Sequence, residues 1–350
     1  MTPAFLRVVQ GDTARVLAAE LPWARLSGAR VVVTGAAGFL GGGLVRTLLA
    51  LHPAGRVARP LQVVALVRDP ARARQRLADV ADDPQLQWLT WDLNRLAVPD
   101  LGAPDFVVHA ASQASPKFYA HDPVGTLLPN AVGTAALLQA SAGAQGFLFV
   151  SSSEVYGAAT TPEALQETQF GALAPATVRA CYAESKRLGE TLCVAWHAQH
   201  GLPTVVVRPF HTYGPGLMAD DGRVFADFAY AIARGEPIVM TSDGSARRAF
   251  CYGSDATAGV LTALLRGAPG QAYNLANPQA ETSVRELAEL LVARFAARGA
   301  RLERREPPGG YLPSPFNRLV PDIARLQALG WTPHVGLAEG FDRFIEAISP

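Results

Sequence analysis

Arg30-Val31-Val32-Val33-Thr34-Gly35-Ala36-Ala37-Gly38-Phe39-Leu40-Gly41 is the stretch that decides how this chain folds. A run of β-branched residues without polar alternation reads as a strand covered on both faces, which is the habit of a parallel sheet. Glycines then recur at positions 35, 38 and 41. Glycine there lets the chain turn sharply, lets backbone N–H groups approach a pyrophosphate, and lets the following helix pack against the strand. The helix N-terminus adds a partial positive charge where the phosphates would lie.

Working outward, the same rhythm repeats. Apolar runs at 62–67, 87–90, 105–109, 146–151 and 204–208 read as strands, and Ala/Leu/Arg-rich stretches at 44–51, 71–80, 124–140 and 182–200 read as helices between them. Alternation of this kind predicts an α/β chain, a Rossmann-type doubly wound parallel sheet whose ligands bind at the carboxyl ends of the strands. After Arg208 the rhythm changes. Glycines and prolines break up 209–222, and Pro307-Pro308-Gly309-Gly310 with Pro313-Ser314-Pro315 read as extended loops. The expected organisation is a helical extension over 1–28 (its helix at 12–21), a dinucleotide-binding region over 29–208, and a smaller C-terminal, mainly substrate-binding region over 209–350, with some segments returning to the sheet.

Composition narrows the function. The chain has 350 residues, 49% of them hydrophobic and 17% charged, which suits a large packed core and excludes disorder or a coiled coil. Lys+Arg 31 against Asp+Glu 30 leaves a net charge of +1 with no basic stripe, so nucleic acid is not an expected partner. No apolar run reaches the roughly 18 residues of a membrane span. The start lacks the basic and apolar segments of a secretory leader, so a cytoplasmic location is expected. Three cysteines make no disulfide framework, and seven scattered histidines show no metal-ligand spacing.

Two further stretches carry chemistry. Tyr182-Ala183-Glu184-Ser185-Lys186 opens a helix, and Tyr and Lys four apart share a face. A tyrosine used as a base near neutrality needs its pKa lowered by roughly 3 units, about 4 kcal/mol, which a neighbouring cation can supply. Upstream, Ser151-Ser152-Ser153-Glu154 ends a strand that points at the same crevice. Ser152 or Ser153 is placed to hydrogen-bond an oxygen undergoing oxidation.

The Gly-x-x-Gly-x-x-Gly spacing together with Tyr182-x-x-x-Lys186 resembles the extended, nucleotide-sugar-modifying branch of the short-chain dehydrogenase/reductases, the NAD-dependent epimerase/dehydratase family. The resemblance covers about 29–345. It implies a cofactor held by Gly35, Gly38, Phe39, Leu40 and Gly41, by Asp92-Leu93 at the adenine, and by Ala110, Ala111 and Ser112 after His109. Asn130, Ser151, Tyr182, Lys186, Pro209 and His211 complete the implied cofactor set. An acidic residue after the second strand would select NAD. In Val67-Arg68-Asp69, Asp69 does this if the loop is one residue longer; if Arg68 takes the position, it meets the 2′-phosphate of NADP. NAD is the cofactor the family implies.

Glu154 separates subclasses within the resemblance. Members that eliminate water carry Asp-Glu here, and UDP-galactose-type 4-epimerases carry a small residue, whereas Ser153-Glu154 is similar to UDP-glucuronate decarboxylases. Arg179-Ala180-Cys181-Tyr182, Asp221-Gly222-Arg223-Val224 and Arg234-Gly235-Glu236-Pro237 match the same group. Gly244-Ser245-Ala246-Arg247-Arg248 corresponds to its Gln-Thr-Arg motif, which makes Arg248 the partner of a sugar carboxylate. The implied catalytic set is Tyr182, Lys186, Ser153, Glu154 and Arg248. The implied substrate set adds Pro116, Tyr119, Ser152, Arg223 and Tyr252, with a UDP-uronic acid, UDP-glucuronate, as substrate and a homodimer built on the helices around 124–140 and 182–200. Two departures stand out: Gly216 replaces the usual arginine after Tyr213-Gly214-Pro215, and Ala246-Arg247 replaces Gln-Thr. A 4-epimerase, a 4,6-dehydratase, or a non-catalytic dinucleotide-binding sensor are the competing readings.

Overall fold

The computed structural model describes residues 1–158, 163–306 and 317–350. The loops expected at 307–310 and 313–315 lie outside them. Strands β1 (Arg30–Thr34), β2 (Gln62–Val67), β3 (Leu86–Thr90), β4 (Phe106–His109), β5 (Gly146–Val150) and β6 (Thr204–Pro209) join Ala272–Leu275 in one seven-stranded sheet. Its order is Ala272–Leu275, β6, β5, β4, β1, β2, β3, and every pairing is parallel. The order reverses between β1 and β4, and the crevice opens there, at the carboxyl ends.

Burial accounts for the unalternating strands. Val31 and Val33 enter one apolar cluster with Val63, Ala65, Leu44 and Val260, while Val32 enters another with Val64, Val107, Phe147 and Leu137. Both faces of the sheet are core, so hydrophobic residues are needed at every position. A third cluster, including Tyr213, Phe225, Phe250 and Phe341, is the core of the C-terminal region. There Arg247–Tyr252 pairs with His211–Tyr213, Glu281–Ser283 and Arg318–Leu319 in a small second sheet.

Several helices differ from expectation. The N-terminal helix α1 runs Pro3–Leu17, not 12–21, because Thr2 caps it by accepting from the Phe5 N–H (3.1 Å) and Pro3 suits its first turn. It lies across the C-terminal helix Leu337–Ile348, where Asp12 accepts from Tyr252 Oη (2.8 Å) and Arg343 Nη2 (2.5 Å). Helix α2 (Phe39–Ala50) starts right after Gly38, five residues earlier than 44, and α3 (Pro70–Arg76) is shorter than 71–80, capped by Asp69. The single helix expected at 124–140 is three pieces: α5 (Pro123–Leu128, preceded by α4, Pro116–His121), a π-helical turn Pro129–Gly133, and α6 (Thr134–Ala140). Pro129 has no N–H for the α-helical ladder, so the ladder widens at that point. Helix α7 runs Cys181–His200.

Candidate active site

A cleft of about 1160 Å³ runs along the carboxyl ends of the strands and over the C-terminal region. The glycine turn forms one end. Gly35 adopts φ +63°, and a side chain there would meet Ala111 Cα at 2.8 Å. A Cβ on Gly41 would overlap the Gly35 carbonyl oxygen, so α2 packs as tightly on the turn as a backbone allows. His109, at the end of β4, braces the neighbouring loop. The Ala111 N–H donates to Thr34 Oγ1 (3.1 Å), so the Thr34 hydroxyl proton goes to His109 Nδ1 (2.7 Å), and Nε2–H is left for the Pro129 carbonyl (3.2 Å). Burial, and then the charge of Lys186, push His109 down to about 3, so the ring is neutral.

Tyr182 and Lys186 are both buried at the floor of the cleft. Lys186 Nζ donates to the Val150 carbonyl (2.7 Å), lies 4.7 Å from the Phe149 ring centre and 5.8 Å from that of Tyr182. Desolvation lowers its pKa to about 7, against the opposing pull of Glu190. The phenol differs from the expected lowered value. Burial raises Tyr182 to about 12, and the group that most offsets this is the Ser152 hydroxyl hydrogen-bonded to it, not Lys186. Between the two candidate serines, then, Ser152 is the one bonded to the phenol; Ser153 borders the cleft beside it. Ser151 donates backward to Glu190 (2.5 Å), which is itself forked by Arg208 (2.9 and 2.7 Å).

Glu154 is held by a residue that the sequence reading had left without a role. Arg179 donates to both its oxygens (2.8 and 3.0 Å) and lies 4.9 Å from the centre of the Tyr119 ring, which stacks on Tyr182 at 5.0 Å and 17°. Arg179 sits three residues before Tyr182, less than a turn away, and that spacing was the available signal. Arg223 borders the cleft and forks onto Asp221 (2.5 and 2.9 Å). Arg248 reaches the cleft too, with Nη1 donating to the Arg247 carbonyl (2.7 Å). Arg68, Asp69, Asp92, Leu93, Pro116 and Pro209 all line it. Two predicted residues do not. Asn130 bonds behind it to the Thr126 carbonyl (3.0 Å) and Ser185 Oγ (3.1 Å), and Tyr252 is fully buried against Asp12. Both belong to the frame behind the cleft, because their partners lie on neighbouring helices.

The residues fit a dinucleotide. The glycine turn has no room for side chains, and Ser112 and His211, which line the cleft, carry buried polar atoms (Ser112 Oγ and His211 Nδ1) without a hydrogen-bond partner among the described residues. Asp69 accepts from the Arg72 N–H (3.0 Å) and so caps α3 as well as lining the cleft. Among the described residues no group of His, Cys, Asp or Glu side chains is arranged to hold a metal, and no helix is long and apolar enough to cross a membrane.

Fold and cleft together define a Rossmann-type dinucleotide-binding enzyme site with a tyrosine and a lysine at its floor. The chain belongs to the NAD dependent epimerase/dehydratase family, whose model matches residues 31–276. It is 34% identical over 318 residues to UDP-glucuronic acid decarboxylase 6 of Arabidopsis thaliana, covering 90% of this chain and 87% of that one. It is 32% identical over 330 residues to UDP-glucuronic acid decarboxylase 1 of Xenopus tropicalis, covering 90% and 71%. Its structure is similar to that of a dTDP-glucose 4,6-dehydratase of Streptomyces venezuelae with NAD bound (TM-score 0.76, 26% identity, 91% and 96% covered). It shares the fold of a UDP-glucuronic acid 4-epimerase of Bacillus cereus (TM-score 0.76, 22% identity, 91% and 98% covered).

Proposed function

We propose that this chain decarboxylates a UDP-uronic acid, with UDP-glucuronate as substrate. The observation that carries the reading is Glu154 beside Tyr182 with a serine, not an acid, before it. Elimination of water needs an acid and a base at this point, and Ser153 supplies no acid. The sequence similarity to UDP-glucuronic acid decarboxylases over nine-tenths of the chain supports the same reading.

NAD, when bound, supplies reversible hydride acceptance at the sugar C4. Tyr182, hydrogen-bonded to Ser152, takes the proton of the C4 hydroxyl. Its buried phenol needs added positive charge to ionise near neutrality; Arg223 and Arg179 favour that ionisation, and Lys186 lies on the same helix face with Nζ 5.8 Å from the ring centre. Arg248 places the uronate carboxylate, and Glu154 orients the ring. Oxidation at C4 makes a β-keto acid; the bond to the carboxylate breaks, CO2 leaves, and its electron pair passes to the ketone as an enolate, which takes a proton at C5. Return of the hydride to C4, with Tyr182 giving its proton back to the C4 oxygen, then completes the UDP-pentose. Arg223 and Tyr119, which line the cleft, contact the sugar. The protein acts in the cytoplasm as a homodimer; exposed Val124, Leu127 and Leu188 on α5 and α7 supply apolar surface for that pairing.

Mass spectrometry of the protein incubated with UDP-glucuronate and NAD tests the reaction. A UDP-pentose with loss of one CO2 is expected, and Tyr182→Phe abolishes turnover while cofactor binding persists. Retained turnover in that variant sinks the assignment. An unchanged mass with a new stereoisomer by NMR moves the chain to the 4-epimerases. No reaction points to another nucleotide sugar, with Gly216 as the first suspect.

A further inference from the structure

Arg179 does more than neutralise one charge. It stands in the short 3-10 turn Val178–Ala180 directly before α7, and its fork reaches Glu154 in the turn after β5. The same guanidinium covers the Tyr119 ring of α4, and that ring lies nearly flat on Tyr182. Glu154, Arg179, Tyr119 and Tyr182 therefore form one continuous unit joining four elements at the edge of the cleft. A lysine cannot replace this arrangement, because a point ammonium neither forks onto a carboxylate nor stacks on a ring.

Resting on the decarboxylase reading above, we propose that Arg179 is a positioning residue of this site, acting through the Glu154 carboxylate it holds in place and through the Tyr119 ring it packs onto Tyr182. The charges around the phenol explain the consequence. Glu154 opposes ionisation of Tyr182, whereas Arg223 and Arg179 favour it. Removing Arg179 deletes a cation and releases an anion beside the same phenol. The remaining groups do not replace the lost charge, because Arg223 already acts on the phenol in the unaltered protein. Ser152 is neutral, Lys186 donates to the Val150 carbonyl, and Arg223 is engaged by Asp221. On α4, Lys117 pairs with Asp220 and His121 is exposed. In the first turn of α7, Cys181 carries a thiol whose pKa burial raises.

The test uses full-length, NAD-loaded Arg179→Lys, Arg179→Gln, Glu154→Gln and the Arg179→Gln/Glu154→Gln double variant. The readouts are kcat, KM for UDP-glucuronate and the pH dependence of kcat, with thermal unfolding and cofactor affinity measured alongside. Arg179→Gln is expected to lower kcat by about tenfold or more through misplacement of the reacting groups. Its acidic limb should move up by about one pH unit as the phenol loses a cation. Arg179→Lys should keep the limb near its normal place yet lose kcat, and adding Glu154→Gln to Arg179→Gln should return the limb toward that of the unaltered protein. An unmoved limb, with losses that simply multiply in the double variant, overturns the proposal. If the unaltered protein does not act on UDP-glucuronate, the function fails separately. The phenol is then titrated directly by ultraviolet difference between otherwise matched chains with and without Tyr182→Phe; Arg179→Gln must move that ionisation to higher pH, and an unchanged titration overturns the proposal. If Arg179→Gln does not fold, Arg179→Lys decides: unchanged kcat overturns it.

Discussion

Replacing Lys186 by methionine should make the cofactor-stripped protein more stable below neutral pH while it abolishes turnover. Lys186 is buried, and desolvation brings its pKa from 10.5 to about 7. That difference of roughly 3.5 units is about 5 kcal/mol charged against the folded state wherever both forms carry the proton. A folded pKa below the unfolded one means the unfolded chain holds the extra proton between about 7 and 10.5. The penalty is therefore complete below pH 7 and fades as pH rises toward 10.5. Methionine has nearly the same volume and no charge. It gives up the hydrogen bond to the Val150 carbonyl, about 1 kcal/mol, and the cation's contact with Phe149, roughly 1 kcal/mol. Glu190 keeps its fork from Arg208, so no buried charge is stranded. The net expectation is about 3 kcal/mol of added stability at pH 6, shrinking and then reversing by pH 10. Urea unfolding of both proteins, followed by circular dichroism from pH 6 to 10, reads the difference. A gap that does not change with pH, or a variant less stable at pH 6, refutes the argument. The charged lysine is then a cost retained for chemistry.

Two other tests address the frame of the cleft. Gly41→Ala forces a Cβ into the Gly35 carbonyl, and Gly35 cannot retreat because it abuts Ala111; about 2–3 kcal/mol of stability and most cofactor affinity should be lost. Gly143→Ala, whose Cβ meets nothing within 4 Å, is the control, and calorimetry with cofactor titration compares the two. His109, held neutral at about 3 in the fold, makes the protein acid-labile: its contribution is intact above pH 6.5 and is lost as pH falls toward 3, by up to about 5 kcal/mol. In His109→Phe, stability at pH 7 should drop with the bonds to Thr34 and Pro129, yet the decline from pH 6.5 to 4 should be shallower. Equal acid slopes in denaturant titrations would remove His109 from that role.

Local sequence was enough for the sheet and the two ends of the cleft. A strand buried on both faces must be apolar throughout, so Val31-Val32-Val33 and its counterparts announced a parallel sheet. The glycines of 35–41 are needed wherever a backbone approaches another backbone, so their spacing carried the turn. Tyr182 and Lys186 share a helix face by the pitch of the helix alone. The departures have local causes that were also written in the chain: Thr2-Pro3 begins α1 and Pro129 breaks the long helix. What no stretch of sequence contained was which groups meet. The low dielectric that raises Tyr182 and lowers Lys186 comes from strands and helices closing over them, and burial depends on the whole fold. Tyr252 turns to Asp12, 240 residues away, and Asn130 turns behind the cleft to Ser185. The fork of Arg179 on Glu154 links residues 25 apart through the return of β5 and α7 to the same edge. Periodicity and turn chemistry act over a few residues, so they determined the elements; charge, burial and side-chain pairing act through space, so only the tertiary structure decided the partners of the catalytic groups.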